Sequence, residues 1–435
     1  MNRELGSLER ALVTADRHAP FHSVHVLRLE APPPPQILGQ ALKSMQNRHP
    51  LLSVRLIKEK GRYHFTSLVD PILPYRVLPR WNDDHWIKVT QVELGIHIEP
   101  GIDPLFRCIY LYDANQKHAE IVLTFFHSIV DDASVAHLFD ELLTACASFA
   151  DLGTVTVSEL LPVPVQESRF PSAFRGVSLA MKKVRYLLQQ TVDEVSYIFQ
   201  ARATRVPPVH KKNSRGQILP VYFSVDFVEK LKHRSRLEQV TLDALLQSAM
   251  LIAVNRRLYA GKPTPMRTFS FWDMRPFVKP PLEDENLACY FSVLRHTLPV
   301  EGGADPWQLA RQIQNKFYRS LKAGDHFVAA TLAESFLKSI TRTKSARMGA
   351  TALNFNGETQ FKQNYGEIKV SDIHSFVSPY NLGPELAGQA RFFNGQLIWD
   401  FTYLEADLSA DEVRAITEEI RTILNSAVTR PLVRI

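Results

Sequence analysis

The stretch from Ile121 to Phe149 constrains the fold more than any other. Ile121 to Phe126 is an almost unbroken apolar run of the length of a buried strand. His127-Ser128-Ile129-Val130-Asp131-Asp132 follows directly. The residues from Ala133 to Phe149 then place Val135, Leu138, Phe139, Leu142 and Leu143 on one helical face. A buried strand leading through a polar turn into an amphipathic helix is an α/β unit. A histidine at the end of such a strand is rigidly held, with one ring edge free to face a crevice, and strand-end loops commonly carry chemistry. With an ordinary pKa near 6.5, a neutral imidazole there can accept a proton. Asp131, four residues on, can orient the histidine or brace the turn. An HxxxD spacing also arises by chance, and the strand-turn-helix context is what favours the catalytic reading of His127.

The rest of the chain repeats this mixture. Up to about residue 150 the pattern predicts a helix over Leu5–Leu12, a strand over Ser23–Leu29 and a helix over Pro34–Arg48. Strands at Leu51–Ile57 and Tyr63–Val69 flank a Lys60-Gly61 turn. A helix at Trp86–Leu94 and a strand at Leu105–Tyr112 precede the motif strand. Residues 151–172, with Pro162, Pro164 and Pro171, read as a linker, followed by a long helix over Ala173–Ala203 and a basic loop over Val206–Arg215. Beyond it come a strand at Gln217–Val225, a helix at Thr241–Tyr259, strands at Thr268–Trp272 and Tyr290–Thr297, and helices at Pro306–Leu321 and Ala329–Ile340. Asn394-Gly395 marks a hairpin between Ala390–Phe393 and Gln396–Tyr403. Ser409 and Glu412 form a capping box for a last helix. The expected division is 1–150 as one lobe, 151–215 as linker and crossover helix, and 216–435 as a second lobe, with no internal sequence repeat.

We read the long helix, with Leu179, Val184, Leu187, Val192, Val195 and Ile198 among its apolar positions and Arg175, Lys182, Lys183 and Arg185 among its basic ones, as packed on a lobe with its basic side in water. The alternative is an amphipathic surface for a membrane or a carrier protein.

Charge and cysteines exclude several classes. Lys+Arg 51 against Asp+Glu 45 gives +6 over 435 residues, too scattered for a nucleic-acid footprint. Cys108, Cys146 and Cys289 form no CxxC pair and no disulfide framework, which points to a reducing compartment. No Walker A, GxGxxG, GxSxG or HExxH is present. His18, His22 and His25 are close in sequence, but residues 22 and 25 fall on opposite faces of a strand, so no metal site is expected. The start of the chain has no unbroken apolar run, and Ala244–Val254 is interrupted by Gln247 and Ser248. Neither a signal peptide nor a transmembrane segment is expected, and a cytoplasmic location follows.

The motif resembles the HHxxxDG signature of the condensation-domain and CoA-dependent acyltransferase superfamily. Other stretches resemble it in the same order: Leu5 to Arg10, Ala41 to Val54 (ALKSMQNRHPLLSV), Trp272-Asp273-Met274-Arg275-Pro276, and Asn286 to Leu298 (NLACYFSVLRHTL). The resemblance implies an α/β fold of two chloramphenicol-acetyltransferase-like lobes in a V, with a tunnel between them and His127 at its middle. It implies that His127 is the catalytic general base, and that Asp131 is structural and paired with Arg275 in a bidentate ion pair. Phe126, Asp132 and Asn354 are expected to line the tunnel, Asn354 to bond a substrate or oxyanion. The implied activity is acyl transfer from an acyl-CoA or acyl-phosphopantetheine thioester to a hydroxyl. The implied partners are the thioester donor, a small alcohol or amine acceptor and an acyl-carrier protein, with no metal or other cofactor. Two alternatives stay open: an amide-forming condensation enzyme, and a catalytically degenerate binding module.

The chain departs from the signature at two places. Phe126 replaces the first histidine and Asp132 the glycine. Asp132 is expected to cap the next helix or to set a charge beside His127 that favours the imidazolium.

Overall fold

In the computed structural model, residues 1–115, 117–155, 157–201, 215–283, 285–343, 347–359 and 361–430 are described. The basic loop expected at 206–215 lies outside them apart from Arg215. The first part of the chain comprises β1 (Asn2–Glu4), α1 (Ser7–Asp16), β2 (His22–Glu30), α2 (Pro35–Arg48), β3 (Val54–Glu59), β4 (Arg62–Ser67), β5 (Tyr75–Pro79), α3 (His85–Glu93), β6 (Phe106–Tyr112), β7 (His118–Phe126) and α4 (Asp132–Leu152). Helix α5 (Gly176–Ala201) follows the linker. Then come β8 (Gly216–Phe223), α6 (Val225–Glu238), α7 (Leu242–Leu258), β9 (Thr264–Asp273), β10 (Phe291–Val300), α8 (Pro306–Ala323), α9 (Asp325–Thr343) and β11 (Thr351–Glu358). The chain continues through β12 (Asn364–Tyr365), β13 (Ile368–Val377), β14 (Leu386–Phe393), β15 (Gln396–Leu404) and α10 (Ala410–Thr429).

Two six-stranded sheets organise two lobes, with strand orders β12-β13-β2-β7-β6-β5 and β10-β9-β11-β14-β15-β8, and β1-β4-β3 form a small third sheet. Strand β7 runs antiparallel between β2 and β6. Helices cover both faces of its sheet, so every residue from Ala119 to Phe126 is buried. This explains the unbroken apolar run, which a half-exposed strand would not carry. The Asn394-Gly395 hairpin has positive φ at both residues, 49° and 75°, and Ser409 and Glu412 close their capping box on α10.

The chain-order division into lobes does not hold for the sheets. Strand β13 pairs antiparallel with β2, from Val377 opposite Ser23 to Lys369 opposite Glu30. Residues 364–377, expected within the second lobe, therefore complete the first sheet. Helix α6, where the sequence reading had only the end of a strand, begins right after β8 with Ser224 as N-cap. The proline-rich linker is packed: Val163, Gln166 and Phe170 are buried, and Glu167 accepts from Ser7 N at 2.6 Å.

Helix α5 reverses the expected orientation. Val184, Leu187, Val192, Val195 and Ile198 are exposed. Its polar residues point inward instead, Glu194 to Arg267 and Arg295, and Asp193 to Thr297. Arg267 and Arg295 on β9 and β10 supply charges that a carboxylate face of the helix can satisfy.

The crossing strand carries a buried ionic cluster. His374 on β13 reaches Asp400 Oδ1 on β15 at 2.8 Å and Asp372 Oδ2 at 3.2 Å. Arg391 Nη1 on β14 donates to the other Asp400 oxygen at 2.8 Å, and Trp86 stacks on the imidazole with centroids 4.4 Å apart. Burial lowers the His374 pKa, but the two carboxylates outweigh it and hold it up at about 9. A pKa raised on folding stabilises the fold fully below about 6.5, and that stabilisation is lost as pH rises through 9. Stability from denaturant melts is expected to fall by about 3 kcal/mol between these pH values, and His374→Gln should flatten the fall.

Candidate active site

The turn after β7 is tied down by Asp131. Its Oδ1 caps α4, accepting from Ser134 N at 2.9 Å and from Ser134 Oγ at 2.8 Å. Its Oδ2 accepts from Arg275 Nη1 at 2.7 Å and from Tyr290 N at 2.9 Å, both in the second half of the chain. The structure thus brings Asp131 and Arg275 together, but not as a bidentate pair. One carboxylate oxygen is taken by the cap, so the second guanidinium nitrogen donates to Ser134 Oγ at 2.7 Å. Ala288 N also donates to that hydroxyl, at 3.0 Å. Ala288 and Tyr290 therefore serve through their backbone N–H groups, which any residue type offers.

Asp131, not Asp132, is the N-cap; Asp132 is the first helical residue. There its negative charge suits the positive end of the helix. Its Oδ1 accepts from Ser375 Oγ at 2.9 Å, and its Oδ2 from the Asn354 amide. Asn356 also bonds it, and its pKa is lowered because Arg391 and these donors outweigh burial. His25 Nδ1 lies 3.8 Å from Asp132 Oδ1, and its Nε2 is 2.6 Å from Ser23 Oγ. Burial pushes the His25 pKa down to about 4, so this ring is neutral.

His127 is the first residue beyond the strand and keeps part of its surface open. Its ring lies between Phe21 and Phe291, at centroid distances of 5.7 and 5.6 Å. Burial among these rings lowers its pKa below the usual 6.5, outweighing Asp132, Asp131 and nearby backbone carbonyls, which raise it. The expected imidazolium is therefore not favoured, because burial outweighs the pull of Asp132.

His127 faces a cavity of about 340 Å³ between the lobes. The walls are mainly apolar and include Leu8 and Leu12 of α1, Phe271 of β9, Phe291 of β10 and Phe336 of α9. That volume suits a small organic ligand, in the range of about 300–1,000 Å³ typical of such pockets. Asp131, Asp132, Arg275, Asn354 and Asn356 also reach the cavity lining.

Two expectations change. Phe126 does not line the cavity; it is still part of the strand and is buried in the first lobe's core, 6.3 Å from the His22 ring. Asn354 does line it, but its amide donates to Asp132, so it positions that carboxylate. The sequence reading missed Asn356 and Ser375 as partners of Asp132, and passed over His25. Positive φ at Gly357, 66°, accompanies a bulge in β11 between Phe355 and Glu358. No local pattern marks Ser375, because only the crossing strand brings it here. Among the described residues no three His, Cys, Asp or Glu converge as a metal site, and no single helix is long and apolar enough to cross a membrane.

Comparison with known proteins places this geometry in a class. Residues 223–360 match the family model described as phthiocerol/phthiodiolone dimycocerosyl transferase C-terminus. The chain is similar to polyketide synthase associated protein 5 from Mycobacterium tuberculosis, with 16% identity over 98% of both chains and a TM-score of 0.72. It is similar to the trichothecene 15-O-acetyltransferase of Fusarium sporotrichioides, with 13% identity over 99% of this chain and 96% of that one, at a TM-score of 0.79. The first condensation domain of the calcium-dependent antibiotic synthetase is 12% identical over 99% and 97%, with a TM-score of 0.68. No curated protein matches by sequence. The fold is the two-lobed α/β architecture of condensation domains and these acyltransferases.

Arg275→Met strands the Asp131 carboxylate in a buried site. Stability in denaturant melts is expected to drop by about 3–5 kcal/mol. Adding Asp131→Asn should recover part of that loss, whereas strictly additive effects would show that the two residues are not coupled.

Proposed function

We propose that the protein transfers an acyl group from a thioester to an acceptor hydroxyl, with His127 as general base. The observation that carries this reading is the position of His127: a neutral imidazole opening on a mainly apolar cavity between the lobes. The similarity of fold to acyltransferases and condensation domains supports it.

His127 Nδ1 is buried, and Nε2 is the nitrogen this reading assigns to the cavity. In the proposed step Nε2 accepts the hydroxyl proton as the oxygen attacks the thioester carbonyl. A tetrahedral intermediate forms and then collapses. The C–S bond breaks, the ester is released, and the imidazolium returns its proton to the departing thiolate. The apolar walls accommodate the acyl chain and exclude water that would compete as acceptor. The donor is an acyl-CoA or acyl-phosphopantetheine, a substrate and not a resident cofactor. Asp131 and Arg275 act by holding the turn, and Asp132 is a braced carboxylate whose pull on the imidazole burial outweighs.

Thiol release from a panel of acyl-CoAs and carrier-bound acyl groups, with alcohols and amines as acceptors, tests the reading. His127→Ala is expected to lower acceptor-dependent release by roughly 10²–10⁴-fold with the fold intact. Undiminished release would remove His127 from the chemistry, and release with amines alone would reassign the product to an amide.

The pH profile is a second check. A lowered His127 pKa places the acidic limb of kcat/KM below pH 6.5, with the rate falling as the imidazole protonates. Because Asp132 raises that pKa, Asp132→Asn should move the limb to still lower pH.

A further inference from the structure

Helix α5 is turned inside out relative to an ordinary surface helix. Its inward face packs Leu179 and Tyr186 against the lobe and also carries polar contacts. Arg185 meets Asp325 at 2.8 Å, Asp193 meets Thr297 at 2.7 Å, and Glu194 meets Arg267 at 2.8 Å and Arg295 at 3.0 Å. Its apolar face points away. Val177, Met181, Val184, Leu188, Val192, Val195 and Phe199 are each between 48% and 78% exposed. Large apolar side chains in water are ordinary when scattered singly, but a continuous stripe marks an interaction surface.

The spacing of the stripe selects the kind of partner. Successive steps of four, three and four residues occur twice, an eleven-residue period of about 3.67 residues per turn. That is close to the 3.6 of a straight helix, so the stripe stays on one side for roughly 33 Å at 1.5 Å per residue. A left-handed two-helix coil needs a period of 3.5. The stripe therefore fits an extended, flat apolar surface, and among helix pairings only a right-handed one.

Charge supplies the second, independent argument. Residues 168–225 hold ten Lys/Arg and only two Asp/Glu in sequence. Those two acids are Asp193 and Glu194, both turned into the lobe. The segment carries +8, and the remainder of the chain −2, of the net +6. In sequence, the whole positive balance of the protein thus falls within the segment that contains this helix. Lys182 and Lys183 belong to its N-terminal half, and Arg175 immediately precedes it. A straight apolar stripe with cations beside it is the pattern of a helix lying in the plane of a membrane interface, where basic residues meet anionic headgroups.

We infer that α5 is an interfacial helix that seats the protein on an anionic lipid surface, with its apolar stripe among the acyl chains. The inward face of this helix contributes Tyr186 and Gln190 to the cavity lining. The cavity is then one helix away from the lipid. This inference does not depend on the proposed acyl transfer.

Co-sedimentation of the full chain with vesicles tests it. The wild type is expected to bind phosphatidylcholine vesicles containing phosphatidylserine at least about tenfold more tightly than phosphatidylcholine alone, with binding weakened by salt. Leu188→Ser with Val192→Ser, both on the exposed face, should weaken binding about tenfold or more while leaving the thermal melt unchanged. Lys182→Glu with Lys183→Glu should abolish the preference for the anionic vesicles. Failure of the wild type to bind either vesicle overturns the inference, as does equal binding by the serine variant. A wild-type dimer in sedimentation equilibrium that the serine variant makes monomeric would assign the stripe to a second copy instead, and overturn it too.

Discussion

The buried carboxylate of Asp131 is the interaction on which the candidate site depends. One oxygen caps α4 in the first lobe. The other receives the Arg275 guanidinium and the Tyr290 backbone from the second half of the chain. Removing a carboxylate and a guanidinium from water is costly, and such a pair is tolerated where the polar atoms around it are also bonded. Here Ser134 completes the circuit, accepting from Arg275 and from Ala288 N. The turn that carries His127 is therefore defined from both sides. A second buried cluster, His374 with Asp400, Asp372 and Arg391, holds the crossing strand β13 against β14 and β15.

Within that frame, burial decides the state of the histidine. Two carboxylates lie near His127, and both raise its pKa. Both are already engaged: Asp131 by Arg275, and Asp132 by Ser375 and Asn354. The desolvating rings of Phe21 and Phe291 prevail, and the imidazole pKa falls. The aspartate that stands in place of the signature glycine is accommodated by partners from β11 and β13.

The parts of this arrangement that were legible in the sequence are those written in local patterns. The apolar run before His127, the stripe of α4, the Asn394-Gly395 hairpin and the Ser409 capping box each lie within a few residues of one another. The Asp131–Arg275 contact, 144 residues apart in the chain, came only from resemblance. What was not legible depends on contacts distant in sequence. Nothing near Ile368–Val377 announces that this strand joins β2, so Ser375 could not be placed beside Asp132. The Asn354–Asp132 contact could not be placed for the same reason. Phe126 was assigned to the cavity because the signature position suggests it, but the chain turns only after that residue. Helix α5 was given its apolar face inward by the usual rule, and the arginines of β9 and β10 reverse it.

The central claim is that the site holds His127 as a neutral proton acceptor. The most direct measurement is an NMR titration of the His127 imidazole in the full chain, assigned by comparison with His127→Ala. The account predicts a midpoint below 6.5, moving lower still in Asp132→Asn. A midpoint above 6.5 in the folded protein would contradict it.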